Sequence, residues 1–371
     1  MKQINGYEII SLFEQFSPKA YAMEGDKIGL QVGDLSRPVK NVMIALDVLD
    51  EVVEEAIANK VDLIIAHHPP IFRPLTKVTN DNPTGRLMEK LIKHDISVYA
   101  AHTNLDVAKG GVNDLLSDAL GLIDTEVLIP TYEDKLKKLI VYVPKEAEAD
   151  VKSALGDAGA GSIGNYTHCL FSTDGQGQFK PGSDANPYIG THHVLETVQE
   201  AKIETVIPAS LEKKAIKAML KAHPYEEVAY DLFDLQTSGE QLGLGRIGKC
   251  EEMTLSEFVL KVKKVLEVDT VRVVGDLNAK VKKVAVLGGD GNKYFSQALF
   301  KGADVYVTGD MYYHVAHDAK ALGLNIIDPG HNVEKVMKKG VSKKLTAMCL
   351  EKGYNVCIFP SEIHTDPFQF V

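Results

Sequence analysis

The chain has 371 residues, 45% of them hydrophobic and 25% charged, with 51 acidic against 41 basic side chains and a net charge of −10. That length is more than one ordinary core and predicts two domains, while the acidic balance argues against a nucleic-acid partner. Four cysteines (Cys169, Cys250, Cys349 and Cys357) lack any C-x-x-C spacing and suit buried thiols in a reducing compartment rather than a disulfide framework.

The N-terminal MKQINGYEIISLFEQF is amphipathic and carries Glu8 and Glu14. Neither it nor any later segment has the apolar length of a signal core or a membrane span, so a cytoplasmic protein with no membrane partner is expected. The first third then alternates. Residues 41–47 (NVMIALD) predict a buried strand, 48–59 a helix, 61–66 (VDLIIA) a strand, 84–94 a helix and 96–101 (ISVYAA) a strand. Val- and Ile-rich strands separated by amphipathic helices predict βαβ units on a parallel sheet.

The middle, 127–237, reads strand, helix, strand, strand, helix, strand around a Gly-, Asn- and Pro-rich loop (STDGQGQFKPGSDANPYIG), which is the ferredoxin-like order. The last third returns to alternation, with strands over 283–288, 303–308 and 324–328 and helices over 292–301 and 314–322. It aligns with the first third: VKNVMIALD from Val39 matches VKKVAVLGG from Val281, and Asp62 matches Asp304, both 242 residues on. The expected fold is therefore α/β, a duplicated βαβ-type core with mostly parallel sheets (residues 1–126 and 238–371) carrying an inserted ferredoxin-like α+β domain (127–237). Two βαβ units of independent origin are the alternative.

Parallel α/β sheets bind ligands beyond the carboxyl ends of their strands. His67 and His68 follow the strand ending at Ala66, His102 and Asp106 the strand near Ala101, Asp310 and His314 the strand near Thr308, and His331 and Glu334 the strand near Asp328. Four strand ends thus deliver imidazoles or carboxylates to one edge. A cysteine-free set of this kind suits Zn²⁺, Fe²⁺ or Mn²⁺ in an open site. Adjacent His67 and His68 can diverge toward two ions, and such a pair can activate water and polarise the bond under attack.

A single strand-end histidine is ordinarily just a hydrogen-bonded or surface residue; here the convergence decides for metal. His102 is expected to orient Asp106, whereas Asp310 and His314 divide among ligand support, proton transfer and substrate contact. His317 suits a solvated helix face, His192 and His193 a loop or a domain interface, and His223 a structural role. Gly288, Gly289 and Gly291, in GGDG, are candidates to cradle an anion on backbone N–H groups, or simply form a strand–helix turn.

Taken in order, AHHPPIF, HTNLD, GGDG, TGD-x-x-YH and GHNVE resemble the NGG-one-interacting-factor-three-like family, whose members carry the name GTP cyclohydrolase I type 2. The middle segment, with G-x-F-x-P and HPYEEVAYD, resembles the PII- and CutA-like insert of its longer bacterial members. The resemblance implies two divalent metal ions per subunit held by His67, His68, Asp106, His331 and Glu334, in a homohexameric toroid whose openings the insert caps. Two departures stand out: Glu24-Gly25-Asp26-Lys27 replaces the usual aromatic-Asp-Asn before GLQVG, and His331 and Glu334 are one residue closer than in H-x-x-x-E relatives. The implied function is a metal-dependent hydrolase of a nucleotide or phosphorylated small molecule. The alternative is a non-enzymatic metal-binding regulator or sensor that uses the insert.

Overall fold

In the computed structural model, which describes residues 4–369, the chain forms two compact units. One joins the segment through Tyr132 to that from Leu242 onward, and Glu133–Gln241 forms the other.

The first unit holds two sheets. One is ordered Gly29–Val32, Ser97–Ala100, Leu63–Ala66, Asn41–Ala45, Cys357–Pro360, the last four running parallel and the first antiparallel at the edge. The other is ordered Arg272–Val274, Asn325–Asp328, Val305–Gly309, Lys280–Asp290, Glu240–Thr254, Ile123–Asp134, with a parallel centre and antiparallel flanks. The central strands Leu63–Ala66 and Val305–Gly309 are buried at every residue, which explains their unbroken apolar runs. The flanking strands were not expected from sequence; at three or four residues, Arg272–Val274 and Gly29–Val32 are too short to carry a period.

The two sheets repeat each other in register. Val42 pairs with Leu63 and Val284 with Val305, each 242 residues on. Asp62 accepts from the backbone N–H groups of Lys40 and Asn41, and Asp304 from those of Lys282 and Lys283. The same carboxylate thus ties each first strand to the loop entering the second. A single apolar cluster joins the two sheets: Ile44, Leu63 and Tyr99 of one and Val286, Val305 and Ile327 of the other are buried together. It sets both rows of strand ends around a common opening.

Local signals start the helices. Asn5 and Glu8 form a capping box on Gly6–Phe16, as do Thr254 and Glu257 on Leu255–Val265. Asn82 caps Pro83–Lys93, which has proline in its first turn and buries Met88 and Leu91. The second unit is a four-stranded antiparallel sheet ordered Leu170–Phe179, Glu196–Pro208, Leu136–Pro144, Tyr230–Asp234, with helices Glu148–Asp157 and Glu212–Ala222 closing over its own apolar core. Among the described residues, no helix is long and apolar enough to cross a membrane.

Candidate metal centre

Beyond Ala66 the backbone stays paired, with the His67 N–H donating to Ala45 and that of His68 to Leu46. Extended geometry sends the two rings to different sides. His67 is completely buried, and its Nδ1 lies 2.9 Å from the Ala101 carbonyl. A carbonyl can only accept, so Nδ1 carries the proton and Nε2 offers a lone pair. That Nε2 faces Asp106 and Glu334, each at 3.6 Å. His68 turns the other way, Nδ1 on Asp47 at 2.6 Å and Nε2 toward Glu334 at 3.0 Å.

Asp106 sits in the short helix Thr103–Val107, which starts directly after His102. On the opposite side His331 and Glu334 lie on the 3₁₀ turn His331–Lys335, where residues three apart eclipse. Their shorter spacing therefore still brings His331 Nε2 to 3.2 Å from the Glu334 carboxylate. His331 Nδ1 is held by Asp310 at 2.7 Å. Glu334 lies against Gly288 and Gly289, where added Cβ atoms would stand 3.0 and 2.8 Å from its Oε1. Side chains there would push the carboxylate out of place.

Among the described residues three triads result, each with ligand atoms within 4.8 Å of one another: His67, Asp106 and Glu334; His68, His331 and Glu334; His67, His68 and His102. His67 Nε2 and Asp106 Oδ1 are buried without a hydrogen-bond partner. Orphaned buried acceptors are costly, and two of them aimed into one cluster fit a bound cation. A cavity of about 540 Å³ opens over the cluster, lined among others by Phe72, Leu244 and Tyr294.

Residues 4–367 match the family model of Duf34/NIF3 (NGG1p interacting factor 3). The chain belongs to the NIF3 family. A Bacillus subtilis (strain 168) protein named "GTP cyclohydrolase 1 type 2 homolog" is 63% identical over 371 residues, covering all of both chains. A protein of that name from Halalkalibacterium halodurans is 56% identical over 372 residues, again covering all of both. Among solved structures, a Bacillus cereus protein related to NIF3 superposes with a TM-score of 0.96 at 62% identity, with both chains covered in full. A Staphylococcus aureus protein gives 0.77 at 35% identity, also with full coverage of both.

Electrostatics separates the cluster's two buried carboxylates. Burial opposes the charge on Glu334, but His67, His331 and His68 hold it well below the usual range. Burial dominates at Asp106, which His67 and His102 only partly offset, and its carboxyl rises to about 6. Two neighbouring anions do not readily ionise together in one buried site. His68 is pushed up to about 10, its carboxylate partners Asp47 and Glu334 outweighing burial. His331 rises to about 9, chiefly through Glu334. Imidazoles this strongly drawn toward anions mark a site that favours positive charge.

His67, His68, His102, Asp106, His331 and Glu334 thus converge, with Asp310 behind His331 and Gly288 and Gly289 behind Glu334. The Gly288 N–H donates to Asn113 Oδ1, and Asn113 Nδ2 donates to the Asp106 carbonyl. That N–H is thus engaged internally, while Gly291 packs on the Tyr306 hydroxyl rather than lining the cluster. His314 is exposed on Tyr313–Ala321 with its ring against Tyr313, apart from the triads. His102 is held by Asp26 at 2.9 Å rather than through Asp106. Asp26, which also accepts from the Thr103 N–H, and Asp47 were missed from the sequence. The signal for Asp47 was present: it stands two residues past the strand Asn41–Ala45, opposite Gly289 in the internal alignment.

Proposed function

We propose that this protein is a metal-dependent hydrolase with two divalent ions per subunit, Zn²⁺, Fe²⁺ or Mn²⁺, acting on a nucleotide or another phosphorylated small molecule. The observation that carries the reading is the pair of triads sharing Glu334. His67 and Asp106 would hold one ion, His68 and His331 the other, and Glu334 would serve both. Such ions lower the pKa of water and polarise the bond it attacks.

The chain's own residues supply the rest. Ala101, Asp47 and Asp310 fix the imidazole rings by their Nδ1 atoms, leaving each Nε2 toward the buried carboxylates of the cluster. His102, braced by Asp26, faces the same cavity and is placed to take or give a proton. Phe72, Leu244 and Tyr294 provide apolar walls for a bound ring. The relatives' name supports a GTP cyclohydrolase-like reaction as one version of this chemistry.

The strand order of the second unit supports a ferredoxin-like, PII- or CutA-related insert. A cytoplasmic homohexameric toroid belongs to the same reading, and light scattering of the purified protein should give six chains per particle. The second reading, a regulator or sensor, draws on the absence of any residue of the second unit from the three triads. Elemental analysis together with a panel of nucleotides decides between them. An enzyme converts one of them in a metal-dependent way, whereas a sensor binds and is stabilised without turnover.

A further inference from the structure

The second unit contains a cavity of about 690 Å³, larger than the one over the histidine cluster. Its floor is the sheet, its roof the loop from Lys180 to Leu195, and four aromatic residues line it: Tyr142, Phe179, Tyr188 and Tyr225. Three of the rings form a connected set, Tyr225 lying 5.8 Å from Phe179 and 6.3 Å from Tyr188. The loop is tied down at both ends. The His193 N–H donates to Pro181 at 2.8 Å, His192 Nε2 donates to the Ala185 carbonyl at 2.8 Å, and the Asn186 N–H donates to Glu226 at 2.7 Å.

Glu200 rises from the floor into this aromatic box. Strand residue Gly175 pairs with it directly, and its carboxylate lies against Gly177, where any side chain would collide with it. Among the described residues Glu200 has no lysine or arginine partner; its hydrogen bond comes from the Tyr225 hydroxyl at 3.3 Å. The cavity's other charges are unequal. Asp174 is paired with Lys145, and Lys202 with Glu204. That leaves Glu200, Glu226 and Glu227 against Lys180.

Aromatic faces and an unneutralised carboxylate attract a cation that carries hydrocarbon. The lysine balance disfavours a phosphate. A metal ion is disfavoured too, because among the described residues no group of three ligand atoms close enough to share an ion lies in this unit. The volume suits a ligand of metabolite size. We propose that this cavity binds a small organic cation, an amine or guanidinium compound, with Glu200 as counter-charge and Tyr142, Phe179, Tyr188 and Tyr225 as its cage. The site is separate from the metal cluster and does not depend on the function proposed for it.

The test is calorimetric titration of the full-length protein with spermidine, with L-arginine and, as an anionic comparison, with ADP. Saturable binding of one cation per chain is expected for at least one of the two amines. Glu200→Gln should weaken it about tenfold, the size of a lost charged hydrogen bond. Tyr188→Ala, on the exposed loop, should weaken it roughly three- to tenfold. Circular dichroism checks that both variants are folded. Cation binding must also persist after chelator treatment. The proposal is overturned if neither cation binds, if ADP alone binds, if both folded variants bind as the parent does, or if chelation abolishes binding.

Discussion

The two halves of the first unit are built alike and loaded differently. Beyond the third strand of each, the pairing of Leu63 with Ser97 corresponds to that of Val305 with Asn325, an offset of 228 at the second member. Carried forward, Asp106 falls on Glu334, Asn104 on Asn332 and Thr103 on His331. Both halves therefore place a carboxylate at the same point. The preceding strand ends differ: His67 and His68 in one half face Gly309 and Asp310 in the other, 242 residues on. The first half keeps its imidazoles on the strand, while the second moves one to the turn and puts a bracing aspartate on the strand. Symmetry supplied the frame, and divergence at three positions made the two triads unequal.

The sharpest way to break that comparison is at the equivalent carboxylates. Glu334 belongs to two triads and Asp106 to one. Glu334→Ala should remove both ions by elemental analysis, whereas Asp106→Ala should leave about one of the two that the dinuclear reading requires. Equal losses would mean that the halves carry equal weight. His67→Ala combined with His68→Ala should strip the metal as fully as Glu334→Ala does, and undiminished metal in that variant would refute the assignment.

Next in size come the bracing aspartates. Asp47 and Asp310 play the same part for His68 and His331 from opposite halves. Asp47→Asn and Asp310→Asn should each lower metal affinity roughly 10- to 100-fold in a competition titration with a chelating dye. Asp26→Asn should leave affinity nearer that of the parent, because it braces His102, which lies outside the two triads that share Glu334. A loss as large as that of Asp47→Asn would instead make His102 a ligand.

The frame itself can be probed with Asp62→Ala and Asp304→Ala. Each removes a carboxylate that accepts two backbone N–H groups. Losses of about 2 kcal/mol apiece in denaturant unfolding are expected; markedly unequal values would show that the repeat is one of shape only.

The smallest effect contrasts the cluster's histidines with His223 of the second unit. Its Nε2 donates to the Tyr142 carbonyl and its Nδ1 accepts from the Tyr225 N–H, so the neutral ring is doubly satisfied. Burial accordingly holds its pKa below the ordinary 6.5. The unfolded chain then binds more protons than the folded one, so this contribution is complete above pH 6.5 and fades as the pH falls below it. Between pH 7 and pH 5 the parent should lose more stability than His223→Gln, as measured by urea unfolding at each pH.

Much of this molecule can be read along its chain. The parallel strands announce themselves as apolar runs, and the histidines and carboxylates stand at their ends because that is where such a sheet exposes side chains. The internal repeat was visible as the 242-residue match of Asp62 with Asp304, whose shared backbone contacts explain why the residue recurs. What escaped detection depends on distant partners. Asp26 lies in a loop with no periodic neighbours, and only the fold brings it 76 residues along the chain to His102. The glycines of GGDG suggest an anion-cradling turn locally, but the smallness of Gly288 and Gly289 is demanded by Glu334 and that of Gly291 by Tyr306, residues that reach them through tertiary packing. His314 looks equivalent to its neighbours in sequence, yet the turn of its helix leaves it facing solvent.

The division of the triads between chain segments also sets an order of events at the ribosome. His67, His68 and Asp106 emerge early, but Glu334, which both triads require, follows Asp106 by 228 residues, with the whole of the second unit made in between. At elongation speeds of about 5–20 residues per second that gap lasts roughly 10–45 s. The nascent chain thus carries a half-set of donors throughout that interval, and the shared carboxylate arrives only at its end. On the dinuclear reading, metal loading would wait for Glu334, and a product truncated before it would compete poorly for the ions.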